Sequence, residues 1–385
     1  MKALDLFAGT GWGVACQRLG IDEEGVEIMP EAVATREANG MKTLFRDVWD
    51  GLLGRVMVPG YRLLIASPPC QTFSMAGHGA GRRAMDEVLE AIELHAYKDA
   101  EQLIEFGEKH DPRTALVLAP LAYIWRDRPE FVALEQVSTV LPVWEAYADV
   151  MREWGYSVKT EVLNAEQYGV PQTRRRAILV ARLDGEVSLP APTHSKYHSH
   201  DPERIDPGVK RWVSMAEALG WNDGRRFTQN NKMAHQARRT LDHPAPTITA
   251  GHDSGNRGFL DEDGTLQIAT PEEVAALQSY PTMLRSNYGT SGDPANRGER
   301  TTDQPAATLT SKANRNKWDG EINMEHGEAA ALQTYAAPFE WCGSKSKKFL
   351  QIGNAVPPLL AEAILTALIA PTKTAAPRRA RRKLL

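Results

Sequence analysis

A chain of 385 residues with 42% hydrophobic and 24% charged residues has the composition of a globular protein of roughly two domains. Its net charge of −4 excludes a globally basic polyanion binder, and its three cysteines, Cys16, Cys70 and Cys342, lack the number and spacing of a disulfide framework or a metal site. No run of 18 apolar residues occurs and no leader precedes "MKALDLFAG", so the expectation is a cytoplasmic protein without a membrane span.

In chain order, "ALDLF" (3–7), "GVEI" (25–28), "RLLIA" (62–66), "FVALE" (131–135), "YSVKTEVL" (156–163) and "RRAILVA" (175–181) read as strands. Helical periodicity lies between them, including 86–106 and 139–154. This alternation predicts an α/β fold with a doubly wound, Rossmann-like, mainly parallel sheet, in which ligands bind beyond the carboxyl ends of the strands. The first such end, "LDLFAGTGWG", carries Gly9, Gly11 and Gly13, which let the backbone turn tightly and approach a ligand. Glu27 ends the second strand, where a carboxylate accepts from two ribose hydroxyls. Asp47 follows a third apolar run and suits the exocyclic amine of adenine. No Walker lysine follows the glycines, which argues against a triphosphate. A dinucleotide and S-adenosylmethionine both fit these features.

The stretch "IASPPCQTFSMAG" (65–77) puts Cys70 where a strand gives way to a loop, behind two prolines that fix the direction of the backbone. A free thiol titrates at about 8.5, so near neutrality its thiolate is a minority species without help. Cys16 and Cys342 have no such setting and read as structural thiols. "SMAGHGAGRR" follows, with Gly77, Gly79 and Gly81 spaced as in a segment that closes over substrate, Ser74 on it and Arg82 and Arg83 at its far side.

From about 184 the composition changes. Residues 184–324 hold six of the ten histidines and clustered Pro, Asn, Gly, Thr and Arg, and read as a second, smaller, loop-rich β domain. It contains a weak internal repeat: "RRTLDHPAPTITA" (238–250) resembles "ERTTDQPAATLTS" (299–311), and "EEVAALQSYP" (272–281) resembles "GEAAALQTYA" (327–336). "AVPPLLAEAILTALIA" (355–370) reads as an apolar helix that packs back on the first domain. The expected division is 1–183 plus 325–371 for the first domain and 184–324 for the second. Residues 372–385 are expected to form a flexible basic tail; the last 15 residues carry six cations and no acid.

"DLFAGTG", "PPCQTFS", "LEQV", "QYGVPQTRRRAILVA" and "QIGNAVP" occur in this order, and in this order the chain resembles the DNA (cytosine-5) methyltransferases along nearly its whole length. The resemblance implies transfer of a methyl group from S-adenosylmethionine to carbon 5 of a cytosine flipped out of a specific duplex DNA sequence. It implies that Cys70 is the nucleophile that adds at carbon 6, and that Glu135 binds ring nitrogen 3 and the exocyclic amine. Arg174 and Arg176 match the family's Gln-x-Arg-x-Arg and, alternating on a strand, are expected on one face, holding the cytosine carbonyl oxygen. Gln136 stands where the family usually has Asn. The implied cofactor pocket is Phe7, Gly9, Gly11, Trp12, Glu27, Ile28, Asp47, Val48 and Pro69, completed by Asn354 and Val356, with Gln71 and Ser74 on the substrate loop and no metal. By analogy 184–324 is the target recognition domain, its Arg, Asn, Thr and His over 225–257 and 285–318 suited to bases and phosphates. The repeat copy at 299–336 then matches the family's penultimate motif, and the copy at 238–281 is extra. The expected partner is double-stranded DNA, with a cognate restriction endonuclease left open, and the expected state is a monomer. A transfer-RNA cytosine methyltransferase of the same family and a noncatalytic DNA-binding relative remain alternatives.

Overall fold

Seven strands form the main sheet: β1 (Lys2–Leu6), β2 (Asp22–Val26), β3 (Lys42–Phe45), β4 (Leu63–Ala66), β5 (Phe131–Val137), β6 (Ser157–Asn164) and β7 (Arg175–Arg182). A computed structural model describes residues 1–69, 80–221, 226–229, 238–240, 257–260, 266–268, 281, 283–285, 299–319 and 322–371. The sheet order is β3-β2-β1-β4-β5-β7-β6. The pairs β1–β2, β1–β4, β2–β3 and β4–β5 are parallel, whereas β7 runs antiparallel to β5. Parallel neighbours need crossovers, supplied by α1 (Gly11–Leu19), α2 (Pro30–Ala38), α3 (Val48–Leu52) and, between β4 and β5, α4 (Ala80–Glu93), α5 (Ala100–Lys109), α6 (Pro112–Ala115) and α7 (Ala119–Asp127). Helix α8 (Leu141–Glu153) joins β5 to β6.

The two-residue period of the strands sorts their side chains. Leu4, Leu6, Leu64, Ala66, Val132, Leu134 and Leu179 share one apolar cluster with residues of α4, α7 and α8. Their alternates Ala3, Leu63, Ile65, Ala133, Ile178 and Val180 are buried as well, so both faces of the sheet are covered. The strand order reverses between β1 and β4, which places the topological switch point beside the glycine turn.

Between β4 and β5 the structure departs from the expected elements in two places. The single helix expected over 86–106 is broken: α4 ends at Glu93, a 3-10 turn spans Ala96–Lys98, and Asp99 caps α5 by accepting from the N–H groups of Glu101 and Gln102 at 2.9 and 3.3 Å. Gly81, Arg82 and Arg83 lie within α4 rather than in a closing loop, while Ser74, Gly77 and Gly79 lie outside the described residues.

The chain divides into two compact units, one of 1–163, 175–191 and the chain from 358, the other of 164–174 and 192–357. The segments 164–174 and 325–357, expected with the sheet, therefore group with the second unit. The reason is a run of hydrogen bonds. Extended residues 171–174 lie beside 306–309, with Thr173 N–H donating to Ala306 O at 2.8 Å and Ala306 N–H to Pro171 O at 2.9 Å. The buried Gln172 amide accepts from Leu309 N–H at 3.0 Å and donates to Leu332 O and Gln333 Oε1. Gln333 in turn donates to Ile352 O at 2.8 Å.

The second unit contains two four-stranded antiparallel sheets. One has β8 (Arg226–Gln229), β9 (Arg238–Thr240), β10 (Arg257–Leu260) and β11 (Leu266–Ile268) in the order β11-β10-β8-β9. The other has β12 (Met283–Arg285), β13 (Glu299–Thr301), β14 (Lys317–Trp318) and β15 (Ile322–Asn323) in the order β13-β12-β14-β15. The two repeat copies begin on β9 and β13, each the end strand of its own sheet. The later part of the second copy forms the helix His326–Leu332; residues 272–281 of the first copy and the tail 372–385 lie outside the described residues.

The stretch Lys345–Ile369 reaches a mean hydropathy of 1.6 over its most apolar 18 residues, long and apolar enough by composition to cross a membrane. A count of strictly apolar runs overlooks it. It is two helices, Lys345–Asn354 and Pro358–Ile369, parted by a short extended turn. The second packs against α1, β5 and β7, and its Leu360, Ile364, Leu365 and Leu368 are fully buried. Burying each such side chain contributes about 1.5–3 kcal/mol, which is the behaviour of a core helix.

Candidate active site

The carboxyl ends of β1 to β5 bring together most of the residues expected around a cofactor. After β1 the chain turns at Phe7 and Gly9, with φ of +59° and +48°. Left-handed backbone is costly for a side chain such as that of Phe7, and such strain gathers at ligand sites; at Gly9 the missing Cβ relieves it. Glu27 follows β2, and its two carboxylate oxygens accept from Gly9 N–H at 2.9 Å and Met29 N–H at 2.7 Å. The neighbouring Ile28 is a large apolar side chain left 67% exposed, as a stacking surface would be. Asp47 follows β3 and caps α3 by accepting from Trp49 N–H at 3.0 Å. Val48 and Trp12 are buried, and Trp12 Nε1 donates to Ser67 Oγ at 2.9 Å, which ties the first turn to the end of β4. The Trp12 side chain is thus a core group, and Gly11 opens α1 beside it.

One group at this turn has no role assigned by the sequence motifs. Asp5, in the middle of β1, is fully buried, and among the described residues neither of its carboxyl oxygens has a hydrogen-bond partner. Burial and the neighbouring Glu23 push its carboxyl well above the usual range, and Arg36 opposes them. A charged residue inside the apolar run "ALDLF" is the sequence signal that points to it. An orphaned buried carboxyl beside a glycine turn suits a ligand that brings an ammonium, as the methionine end of S-adenosylmethionine does; Ile28 and Asp47 suit its adenine and Glu27 its ribose.

The other half of the site lies on β4, β5 and β7. Ser67, Pro68 and Pro69 follow β4 as expected; Cys70, Gln71 and Ser74 lie outside the described residues. Glu135, near the end of β5, is 4% exposed. Arg176 on β7 lies opposite Val137, on the same face as Glu135, and its Nε is 2.7 Å from Glu135 Oε1. The Gln136 amide donates to Pro68 O and accepts from Val137 N–H at 2.5 Å. Gln136, the departure from the family's Asn, therefore anchors the turn that leads into Cys70.

The model of the C-5 cytosine-specific DNA methylases matches residues 106–370. The chain belongs to this family. It is a DNA cytosine methyltransferase, an enzyme that requires a methyl donor. The match includes Glu135, Gln136, Arg174, Arg176 and Asn354. Curated relatives extend the likeness toward both ends: the Type II methyltransferase M1.HphI of Haemophilus parahaemolyticus is 27% identical over 95% of this chain and 86% of its own length. The Type II methyltransferase M.NlaX of Neisseria lactamica is 30% identical over 73% of this chain and 85% of its own. Among solved structures, S. pombe Dnmt2 methyltransferase superposes with a TM-score of 0.53 at 14% identity, covering 96% of this chain and 98% of that one. This structural likeness concerns the fold alone.

In this methyltransferase the two arginines of "QTRRR" part company. Strand β7 begins at Arg175, so Arg174 precedes the strand and the expected shared face does not form. Arg174 is 2% exposed, and its guanidinium donates to Leu309 O and Gly353 O at 3.0 Å and to Ala355 O at 3.1 Å, all in the second unit. It clamps the backbone of "GNAVP", whereas Arg176 faces Glu135 in the first unit. Gly353 serves the same packing: a Cβ there would lie 2.2 Å from Thr310 C and 2.3 Å from Thr310 O. Asn354 ends its helix exposed, and Val356 is buried. Cys16 is buried within α1, and burial pushes its thiol upward, away from reactivity.

Proposed function

We propose that this methyltransferase modifies carbon 5 of cytosine in a specific duplex DNA sequence through a covalent adduct of Cys70. One observation carries the reading: Gln136 fastens the Pro68–Pro69 turn, which leads into Cys70, to the strand end that bears the Glu135–Arg176 pair. Nucleophile and base-holding carboxyl thus leave adjacent, parallel strands, β4 and β5.

Cytosine carbon 5 is too weakly nucleophilic to take a methyl group unaided. The Cys70 thiolate adds at carbon 6 and pushes electron density toward carbon 5. Glu135, in its protonated form, donates to ring nitrogen 3 and neutralises charge as the thiolate adds. Arg176 orients Glu135 for that contact. Once carbon 5 is methylated, water takes up its proton, the electrons of that C–H bond re-form the carbon 5–carbon 6 double bond and expel the Cys70 thiolate, and nitrogen 3 returns its proton to Glu135. Phe7, Gly9, Gly11, Glu27, Ile28, Asp47 and Asp5 would hold S-adenosylmethionine, whose sulfonium would supply the methyl group as an electrophile. Arg174 supports the "GNAVP" backbone. The second unit, with its two antiparallel sheets, is the target recognition domain. Relatives named Type II methyltransferases support a role beside a cognate restriction endonuclease.

The test is transfer of labelled methyl from S-adenosylmethionine to unmodified double-stranded DNA. Label at cytosine carbon 5 with the parent protein and none with Cys70→Ala is expected. Label in transfer RNA and none in DNA overturns the substrate assignment.

A further inference from the structure

Arg36, in the last turn of α2, has no exposed surface. Its Nη2 donates to both oxygens of Glu23, at 2.7 and 3.0 Å, and to Lys42 O at 2.6 Å; its Nε donates to Thr43 Oγ1 at 3.3 Å. Its Nη1 donates to Gly9 O at 3.0 Å. One side chain therefore joins the turn after β1 to β2 and β3. The N–H of the same Gly9 is held by Glu27, so the residue that turns the chain is gripped on both sides. The sequence makes room for this. A Cβ on Gly25 would lie 2.3 Å from Arg36 Nη2, 2.5 Å from its Cζ and 2.7 Å from Ala8 Cβ.

Stability alone is a poor account of such a group. A buried ion pair costs desolvation that apolar side chains of similar volume do not, and replacing one is often neutral or stabilising. What apolar side chains cannot supply is a fork of donors in fixed directions, and lysine lacks that geometry too. We infer that Arg36, with Glu23 and Gly25, is a positioning group for the methyl donor: it fixes the Gly9 peptide in the conformation that the donor meets. Arg36 is also the cation that acts on the orphaned Asp5 carboxyl. Preorganisation of this kind shows as affinity, because the loop is ordered before the ligand arrives.

The inference rests on the placement of the donor at this turn, and the experiment separates the two. Calorimetric binding of S-adenosylhomocysteine to the full chain is compared for the parent, Glu27→Ala and the double variant Glu23→Met/Arg36→Met, with a thermal melt of each. Expected are a melt of the double variant close to the parent's and a dissociation constant raised about tenfold or more. Parent-like affinity in a folded double variant, with affinity lost in Glu27→Ala, overturns the role of Arg36 and keeps the site. Parent-like affinity in both overturns site and role together. Should the double variant melt below the assay temperature, Arg36→Lys decides: weakened binding in a folded protein upholds the role, and unchanged binding refutes it.

Discussion

Replacing Arg174 by Met keeps most of the side-chain stem and removes the guanidinium. Three carbonyls, Leu309 O, Gly353 O and Ala355 O, lose a charged donor in a site where Arg174 is 2% exposed. A hydrogen bond to a charged group contributes about 1.5–3 kcal/mol, so the additive limit for three is about 5–9 kcal/mol. Relaxation and entering water reduce this, and removing one partner of a buried charged cluster costs about 3–5 kcal/mol. Set against a typical stability of about 5–15 kcal/mol, the second unit of Arg174→Met should unfold well before the first. Urea denaturation followed by tryptophan fluorescence reads this, because Trp212 and Trp318 are buried in the second unit. The expected result is a new early transition, with methyl transfer lost in parallel with it. An unchanged denaturation curve with methyl transfer abolished refutes the clamp and returns Arg174 to the cytosine carbonyl.

Other outcomes follow from the same geometry. Gln136→Leu frees Pro68 O and should slow methyl transfer by about 10–100-fold, the rate equivalent of about 1–3 kcal/mol, with S-adenosylhomocysteine affinity unchanged; weakened cofactor binding instead would place the effect in the wrong half of the site. Gly353→Ala drives a Cβ into the backbone of Thr310 and should lower stability by about 3 kcal/mol in the urea assay. Burial pushes the Glu166 carboxyl from 4.5 up to about 7. The folded state therefore holds this proton more tightly than the unfolded chain, and stability falls as pH rises through the window from 4.5 to about 7, by about 3 kcal/mol in all. Glu166→Gln should remove that fall; a parent-like dependence of the melting temperature between pH 5 and 8 would contradict it.

Most of the sheet was legible because β1, β4, β5 and β7 are short apolar runs, and a parallel sheet gathers strand ends such as those near Gly9, Pro69 and Glu135 on one edge; β2, DEEGV, is charged along most of its length, so the apolar pattern points to 25–28 rather than to Asp22–Val26. The ion pair of Glu135 with Arg176 has no counterpart in the sequence, where the two sit in separate motifs, "LEQV" and "QTRRR"; the register that places them together depends on β5–β7 pairing across 40 residues of intervening chain, which no local pattern encodes. Arg174 was misplaced for a similar reason: alternation on a strand is informative only inside the strand, and β7 starts one residue later. The division into units eluded composition because the bonds that set it, Gln172 to Leu309, Leu332 and Gln333, join residues more than 130 positions apart. Arg36 carries no motif at all. Its sequence context is an ordinary amphipathic helix, and only the space left by Gly25 shows where its guanidinium goes.

The most direct measurement is a covalent trap. Fluorine at carbon 5 cannot leave as the proton does, so the adduct formed on the way to product cannot resolve. DNA in which 5-fluorocytosine replaces cytosine, incubated with the protein and S-adenosylmethionine, should yield a protein–DNA complex that survives denaturation and maps by mass spectrometry to the peptide containing Cys70. Methyl transfer to ordinary DNA without any adduct at Cys70 on the fluorinated DNA would contradict the account.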